Sequence, residues 1–424
     1  MVWWGRFRKF TTFRDAMFAH LFLYPSSWFG LLLYAALLLC SLLLLVPAAV
    51  LFVECVAALL PVRRNRQAAR PSLAVLMPAH NEALGIEPVI KGILAQLYPT
   101  DRLVVIADNC TDDTAACATA AGATVIERQD KERRGKGYAL DCGLQFLTAA
   151  PPEVVICMDA DCLPQEGTLE LIAATANAAG RPVQAVYLME TPARPRPKDA
   201  VSALAFLVKN WVRPLGLHRM GYPATLTGTG MAFPWEVIRS VSLASGNIVE
   251  DMQLSMDLAV SGFPTLLCPG ALVVGQLPEQ AAAAKTQRTR WEHGHLRTMR
   301  TQVPRLVGQA LAQKRLSLLV IALDLLVPPL SLLVMLLFAL TGVAGVFGLV
   351  TYAWLPAVIC VTAALMVTSA TLLARLRFGR KQLPAKTLFA VPFYVLWKIP
   401  LYLSYMIRPQ TKWVRTERDP APKP

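Results

Sequence analysis

Hydrophobic residues are concentrated towards the two ends of the chain, whereas the middle has the mixed pattern of an ordinary soluble domain. Residues 28–60 are almost wholly apolar, and Glu54 is their only charge. A helix needs about 20 such residues to cross a bilayer. The pattern therefore predicts one long or tilted membrane span, in which Pro47 is the site for a bend.

Further apolar stretches follow the middle of the chain. Residues 316–340 and 348–373 each have the length and composition of a transmembrane helix, and a short loop is predicted between them. Residues 386–408 are also apolar, but they contain two prolines and Lys398 and have basic residues on both sides. These features favour a re-entrant or interfacial segment over a complete span.

The remaining terminal segments are basic. Residues 1–27 combine aromatic and basic side chains without a cleavage site, which favours an interfacial helix over a signal peptide. Residues 276–315 are predicted to form polar interfacial helices, and residues 409–424 a cytoplasmic tail. Because positive loops mark the cytoplasmic side, we expect a multi-pass protein of the cell (inner) membrane with a cytoplasmic middle domain.

The middle segment, residues 72–275, alternates short apolar strands with helices. Alternation at this pitch predicts an α/β domain with a parallel sheet. Ligands of such sheets bind beyond the carboxyl ends of the strands. Polar clusters are found at these positions: His80-Asn81-Glu82, Asp108-Asn109 and Asp159-Ala160-Asp161.

The composition limits the functional classes. The chain has 424 residues, of which 55% are hydrophobic, a mean hydropathy of +0.44 and a net charge of +14. The positive charge flanks apolar stretches, and no zinc finger, basic zipper or RNA-binding signature accompanies it, so we expect no nucleic-acid partner. Nine cysteines without a CxxC pair are typical of small buried residues in a reduced, cytosolic domain.

Asp159 and Asp161 stand one residue apart at a predicted strand end. They cannot both point into a core, because an uncompensated buried charge is costly. Carboxylate oxygens suit Mg²⁺ or Mn²⁺, and such an ion also binds diphosphate oxygens. A solvated acidic turn has the same short pattern, so the triplet alone leaves both interpretations open.

Glu250 and Asp251 lie at the predicted start of a helix. An acidic residue in this place often serves only as a helix cap. A carboxylate there can equally take a proton from an attacking hydroxyl group. The local sequence leaves both interpretations open.

The string Gln287-x-x-Arg290-Trp291 combines an amide, a fixed cation and a large aromatic ring. Arg290 can stabilise a leaving diphosphate by charge-assisted hydrogen bonds, and Trp291 offers a flat face to a sugar ring. A basic and aromatic membrane anchor has the same composition. We interpret the neighbouring His293 and His295 as polar interfacial residues.

Other positions are weaker candidates. Lys136 opens a predicted helix, where a phosphate contact is favourable. Small residues around Thr229 and Gly230 let the backbone approach a ligand. Asp324 lies within an apolar stretch, where an acid is either functional or a hydrated structural residue near the cytoplasmic end.

The order and spacing of these motifs resemble the inverting family 2 glycosyltransferases. The branch most similar to this sequence contains cellulose, chitin, hyaluronan and poly-N-acetylglucosamine synthases and related exopolysaccharide transferases. The resemblance covers roughly residues 72–300. It is carried by Pro78-Ala79-His80-Asn81-Glu82, Ala107-Asp108-Asn109-Cys110-Thr111-Asp112, Lys136-Gly137, Asp159-Ala160-Asp161, Glu250-Asp251 and Gln287-x-x-Arg290-Trp291.

This resemblance implies a GT-A (Rossmann-like) fold, a UDP-sugar donor and Mg²⁺ or Mn²⁺ as cofactor. It implies that Glu82 and Asp108 lie near the nucleoside and that Lys136 lies near the donor phosphates. Asp159 and Asp161 would bind the diphosphate and the metal ion. The family's usual pair of aspartates after the second strand reads Ala107-Asp108 here, which leaves the uridine contact open.

The resemblance also implies the catalytic and acceptor residues. Asp251 would be the general base, with Glu250 beside it. Arg290 would serve both catalysis and donor binding, and Gln287 would hold the diphosphate with it. The implied acceptor site consists of Trp291, Thr229 and Gly230.

The expected function is transfer of a sugar from a UDP-sugar, with inversion, to a lipid-linked or growing glycan in (exo)polysaccharide biosynthesis. Membrane lipid and polysaccharide-assembly subunits are the expected partners. One alternative is a processive synthase that also translocates its polymer, although two C-terminal spans are few for a channel. The alternatives from other functional classes are a nucleotide-sensing transporter and a catalytically inactive scaffold. The few spans argue against the transporter, and the retained carboxylates argue against the scaffold.

Overall fold

The computed structural model describes residues 28–61, 69–191, 196–244, 249–277, 281–380, 384 and 389–407. The predicted arm at residues 1–27 and the predicted tail at residues 409–424 lie outside this part of the chain.

Within the described residues, eight strands form one sheet. Most of them consist of apolar residues that are buried on both faces, as expected for a sheet covered by helices. The strands are β1 (Leu73–Ala79), β2 (Arg102–Asp108), β3 (Thr124–Arg128), β4 (Val154–Cys157), β5 (Leu163–Pro164), β6 (Val183–Glu190), β7 (Met231–Pro234) and β8 (Leu266–Gln276).

Helices cover the sheet and extend beyond it. Two π-helical segments, Val208–Val212 and Arg375–Gly379, continue the helices before them. The α-helices are α1 (Trp28–Ala57), α2 (Ile86–Leu94), α3 (Thr114–Ala120), α4 (Lys136–Leu147), α5 (Thr168–Ala179), α6 (Pro197–Leu207), α7 (Arg213–Arg219), α8 (Trp235–Ile238), α9 (Glu250–Val260), α10 (Ala281–Ala312), α11 (Leu316–Leu326), α12 (Leu330–Thr351), α13 (Leu355–Ala374) and α14 (Val391–Ile407).

The sheet is mixed, with strand order β3-β2-β1-β4-β7-β6-β8-β5. The strands β1 to β4 pair in parallel, as predicted. Beyond these four strands the sheet also contains antiparallel pairs, because β7 runs antiparallel to both β4 and β6. The chain leaves β6 for a long helical excursion and enters β7 from the carboxyl edge of the sheet, so β7 must run in the opposite direction.

Close packing joins the sheet to the helices on one face. Leu76 of β1 and Ile106 of β2 are fully buried beneath α4. A Cβ atom on Gly143 of α4 would lie only 2.9 Å from side-chain carbons of both residues. The glycine lets α4 approach the sheet closely, which places Lys136 at the strand ends.

Three helical stretches in the described residues are long and apolar enough to cross a membrane: Trp28–Ala57, Leu330–Thr351 and Leu355–Gly379. The first contains Pro47 within a continuous helix. Many of their large apolar side chains are exposed, which is consistent with a lipid-facing surface.

The helix boundaries after residue 315 differ from those predicted. The stretch predicted as one helix over residues 316–340 is broken after Leu326, and the predicted loop before residue 348 is helical. Pro328 and Pro329 explain the break, because proline lacks a backbone N–H and disfavours helix in the preceding residue. The chain turns between α12 and α13 at Tyr352, whose backbone adopts a left-handed conformation.

The helix α14 covers most of the segment predicted to be re-entrant or interfacial, and its membrane placement stays a prediction. It packs against α10, where Lys398 pairs with Glu292 and the His293 ring donates to the Leu401 carbonyl oxygen at 3.0 Å. The interpretation of His293 and His295 as interfacial was wrong. Both are buried, with 2% and 6% exposure, because α10 is one helix enclosed by its neighbours.

Candidate active site

A cavity of about 660 Å³ lies beyond the carboxyl ends of β1, β2 and β4. It brings together side chains that are far apart in the sequence. The predicted site residues that line it are Glu82, Asp108, Lys136, Asp159, Asp161, Glu250, Asp251, Gln287, Arg290 and Trp291.

Thr229 and Gly230, predicted to contact the acceptor, lie behind the cavity wall. Thr229 is fully buried, and its Oγ1 accepts a hydrogen bond from the backbone N–H of Asp159 at 3.1 Å. Gly230 has a φ of 64°, and a Cβ atom there would lie 2.7 Å from Val273. Their observed contacts position Asp159 and the sheet, whereas Gly228 of the same turn lines the cavity.

The loops after β1 and β2 are held against each other by side-chain hydrogen bonds. Asn81 and Asn109 both adopt positive φ angles, of 54° and 52°. Asn81 Oδ1 accepts from the Thr111 backbone N–H at 2.7 Å. Asp108 Oδ1 accepts from Arg128 Nη1 at 2.6 Å. Asp108 is thereby fixed at the edge of the cavity.

Lys136 makes contacts that the sequence did not predict. Its Nζ donates to Asp159 Oδ1 and, at 2.6 Å, to the Gly228 carbonyl oxygen. Burial opposes the charged form, but the carboxylates of Asp159 and Glu250 outweigh it and raise the pKa of Lys136. The ammonium group therefore stays charged and links the Asp159 strand end to the turn at Gly228.

Glu250 and Asp251 open α9 inside the cavity. The capping position of this helix is Val249, and no side chain caps it. Asp251 Oδ1 accepts from the Met252 backbone N–H at 2.8 Å. Burial, followed by the charge of Asp251, raises the pKa of Glu250 to about 7, and burial raises the pKa of Asp251. Both carboxyl groups are therefore enclosed by protein, unlike those of a solvated helix cap.

The residues Gln287, Arg290 and Trp291 face the cavity from α10. Trp291 packs against Phe206 with ring centroids 5.8 Å apart. The buried Gln287 Oε1 has no hydrogen-bond partner among the described residues. An unsatisfied buried amide oxygen is costly, which is consistent with a site completed by a ligand.

Asp159 and Asp161 approach each other as a metal site requires. Their carboxylate oxygens and Cys162 Sγ all lie within 4.8 Å of one another. Burial raises the pKa of the Cys162 thiol well above its usual range, so the thiol stays protonated. The two carboxylates remain as oxygen ligands for a hard divalent ion, and the rest of the coordination is open to phosphate oxygens.

The cavity extends from the strand ends to the apolar helices. We call this second part the helix-side chamber, and it is lined by Leu51, Lys209, Arg213, Asp324, Pro329 and Tyr394. Glu54 lies beside it and binds Arg213 Nε at 2.7 Å. Asp324 Oδ1 binds Arg213 Nη2 at 2.6 Å. Asp324 is therefore ion-paired and lines the chamber, so neither of the two predictions made for it describes it fully.

A family model described as glycosyltransferase like family 2 matches residues 71–294, which is more than half of the chain. The chain belongs to glycosyltransferase-like family 2. Its sheet domain is accordingly a GT-A domain with a mixed, Rossmann-like sheet. The predicted family is thus confirmed, whereas the branch of polysaccharide synthases stays a prediction.

The chain is 25% identical over 249 residues to the probable glycosyltransferase YdaM of Bacillus subtilis strain 168. That match covers 56% of this chain and 58% of the relative, so the chain spans little more than half the length of that protein.

Solved structures are also similar to this chain. A mannosyltransferase from Pyrobaculum calidifontis, in complex with GDP-Man and Mn²⁺, matches over 87% of this chain and 99% of its own, with a TM-score of 0.49 and 19% identity. Glucosyl-3-phosphoglycerate synthase from Mycobacterium tuberculosis, in complex with Mn²⁺, UDP and phosphoglyceric acid, matches over 46% and 68%, with a TM-score of 0.34 and 27% identity. The latter enzyme has also been solved with Mg²⁺ and UDP.

Three basic residues in or beside the candidate site escaped the sequence analysis. Arg128 ends β3 opposite Asp108 of β2, so its role depends on the register of a strand pair. Arg213 and Lys209 lie in or next to the π-helical segment, where no motif marks them. The available signal was indirect, since two acids within apolar helices, Glu54 and Asp324, each require a cationic partner.

Proposed function

We propose that this glycosyltransferase transfers a sugar from a UDP-sugar, with inversion, to a lipid-linked or growing glycan acceptor. The proposed setting is (exo)polysaccharide assembly at the cytoplasmic face of the cell membrane. The observation that carries the proposal is the place of Asp251. It lines one cavity together with Asp159, Asp161 and the residues of the helix-side chamber.

In the proposed reaction, an acceptor hydroxyl attacks the anomeric carbon from the face opposite the UDP group. The new carbon–oxygen bond forms as the bond to the diphosphate breaks, which inverts the configuration. Asp251 accepts the hydroxyl proton. Arg290 and Gln287 hold the diphosphate, which leaves with the bonding electrons.

The charges around Asp251 suit this role. Burial raises its pKa, while Lys136 and Lys209 lower it again. The carboxylate is therefore more basic than that of a solvated aspartate, as a proton acceptor requires. Gly228 leaves open space in front of it, because a Cβ atom there would lie 3.3 Å from Asp251 Oδ2.

We also propose that Asp159 and Asp161 hold Mg²⁺ or Mn²⁺ when the donor binds. The ion would neutralise charge that develops on the diphosphate. The two oxygen ligands fit such an ion, and the lysine contact of Asp159 keeps that carboxylate in place. Membrane association is supported by the three long apolar helices.

The test is release of nucleoside diphosphate by the full-length protein in a neutral detergent. A panel of UDP-sugars and GDP-sugars is offered with Mg²⁺ or Mn²⁺ and a membrane lipid extract as acceptor. We expect release from one UDP-sugar, loss of release with a chelator, and loss in Asp161→Asn. Binding of UDP without any turnover across the panel would favour an inactive scaffold and reject the proposal.

A further inference from the structure

The helix-side chamber has apolar walls from several elements and a lysine, Lys209, that forms no ion pair with them among the described residues. Leu51 comes from α1, and Pro328, Pro329 and Leu330 come from the break between α11 and α12. Lys209 stands on the π-helical segment among them, and its side chain is exposed to the cavity. A cation in such surroundings is stabilised by an anion at short range.

The other basic groups around the chamber are already neutralised or uncharged. Arg213 binds both Glu54 and Asp324 through its guanidinium group. Lys398 pairs with Glu292. Burial lowers the pKa of His295 to about 3, so its ring is neutral near pH 7.

Lys209 differs from these groups. In the described part of the chain, no hydrogen bond or ion pair within 4.0 Å involves its Nζ atom. Although its side chain opens to the cavity, the surrounding protein and the nearby Arg213 charge lower the pKa of Lys209, and the carboxylates of Asp251, Asp324 and Glu292 oppose this without a direct contact. Lys209 is therefore available to bind a ligand.

Lys209 and the metal carboxylates come from different parts of the fold. Asp159 and Asp161 follow β4, and Asp159 pairs there with Lys136. Lys209 stands on the π-helical segment Val208–Val212, which packs in one apolar cluster with Leu51 of α1 and Ala363 of α13. A group bound at Lys209 therefore lies on the helix side of the cavity, away from the metal carboxylates.

We propose that the acceptor is a phosphate-bearing lipid, whose phosphate binds the Lys209 ammonium group in the helix-side chamber. This inference rests on the proposed function and specifies the acceptor class of the same site. A phosphate satisfies the charge of Lys209, and the apolar walls accommodate the start of a hydrocarbon chain. The acceptor hydroxyl would then lie at Asp251.

The competing explanation is that Lys209 only shifts the pKa of Asp251 and binds no ligand. Binding of a probe separates the two explanations, because a tuning residue has no effect on a phosphate ligand that is not turned over. The probes are dodecyl phosphate, dodecanol as the uncharged match, and inorganic phosphate as the soluble source. Each is titrated into the full-length protein in phosphatidylcholine nanodiscs, with heat release as the measure of affinity.

We expect dodecyl phosphate to bind the wild type and to bind Lys209→Gln about tenfold more weakly or worse, because a charge-assisted contact is lost. Lys209→Arg should retain most of the affinity, and Lys91→Gln, which removes a surface lysine paired with Glu87, should retain all of it. UDP affinity should be the same in every variant. These results would support the phosphate site even if the UDP-release assay failed, so the two proposals can fail separately.

Other outcomes would overturn the inference. Equal affinity of dodecyl phosphate for wild type and Lys209→Gln would leave Lys209 as a tuning residue. Equal affinity of dodecanol and dodecyl phosphate would show that the phosphate group contributes nothing to binding. Inorganic phosphate that binds as tightly as dodecyl phosphate, with the same dependence on Lys209, would reject the lipid as its source.

Discussion

The two halves of the cavity are built in different ways. One half lies at the strand ends, and we call it the donor side because we propose that the donor binds there. Its acidic groups follow strands β1, β2 and β4 directly, so that neighbouring strand ends bring them together. In the helix-side chamber, Glu54, Arg213 and Asp324 come from three helices, and the ion pairs join residues 159 and 111 positions apart. The first arrangement follows from a local motif, whereas the second depends on how whole helices pack.

The two halves also differ in how they treat charge. Asp159 and Asp161 keep carboxylate surface open to the cavity, where a metal ion and a diphosphate can complete their coordination. The Arg213 guanidinium is nearly buried and already satisfied by two acids. We conclude that the donor side is built to exchange ligands, while the Arg213 cluster is built to hold helices together around a chamber.

The largest expected effect is on the donor side, at the proposed base. Asp251→Asn should lower kcat by about 10²–10⁴-fold, because the acceptor hydroxyl loses its proton acceptor. UDP affinity should change little, since the amide keeps the shape of the side chain. Steady-state UDP release and UDP binding would measure the two quantities.

The matched control for that change is Asp257→Asn on the same helix, which removes a half-exposed ion pair with Arg305. It should leave kcat within about twofold of the wild type, as expected for a surface pair. Similar losses of kcat in both variants would show that any change in α9 lowers activity. The result would contradict the role of Asp251 as the base.

The next effect concerns the helix-side chamber. Arg213→Met leaves Glu54 and Asp324 without their cation, and removing one partner of a buried pair typically costs about 3–5 kcal/mol. We expect a clear fall in the thermal unfolding midpoint of the detergent-solubilised protein. Arg239→Met, which breaks an exposed pair with Glu236, should cost less than about 1 kcal/mol. Equal shifts in the two variants would contradict the structural role assigned to the cluster.

A pH effect is expected from Glu250. Its pKa is raised from 4.5 to about 7 in the folded protein, so between these values the folded state binds more protons than the unfolded state. Stability contributed by this group is therefore lost as the pH rises through that range. Between pH 5 and pH 8, the thermal unfolding midpoint of Glu250→Gln should fall less steeply than that of the wild type. An unchanged pH dependence would show that the Glu250 carboxyl group is already ionised at pH 5.

The smallest effect is expected at the junction of the two halves. Trp291→Ala removes an aromatic face worth about 0.5–1.5 kcal/mol, so the acceptor KM should rise about two- to tenfold. Trp291→Phe should restore part of this affinity. A change in donor KM with no change in acceptor KM would show that Trp291 contacts the donor and not the acceptor.

Sequence reasoning was strongest where function follows local structure. The helix Lys136–Leu147 has the predicted bounds, and the polar clusters at Glu82, Asp108 and Asp159 lie in one cavity, because each directly follows a strand of a parallel set. Family membership could be predicted for the same reason, since motif order records the order of strand ends. The apolar spans were also recognisable, although the double proline moved the helix boundaries.

By itself, the sequence determined the strand ends, the acidic motifs and the apolar helices, because these depend on residue type and on spacing over a few positions. Only the tertiary structure decided that β7 runs antiparallel, that Lys136 bonds Asp159, and that Arg213 joins Glu54 to Asp324. These contacts link residues 23 to 159 positions apart, and their partners are chosen by packing and by the cost of leaving a buried charge unpaired. Lys209, which forms no ion pair among the described residues, stood out only once these partners had been assigned.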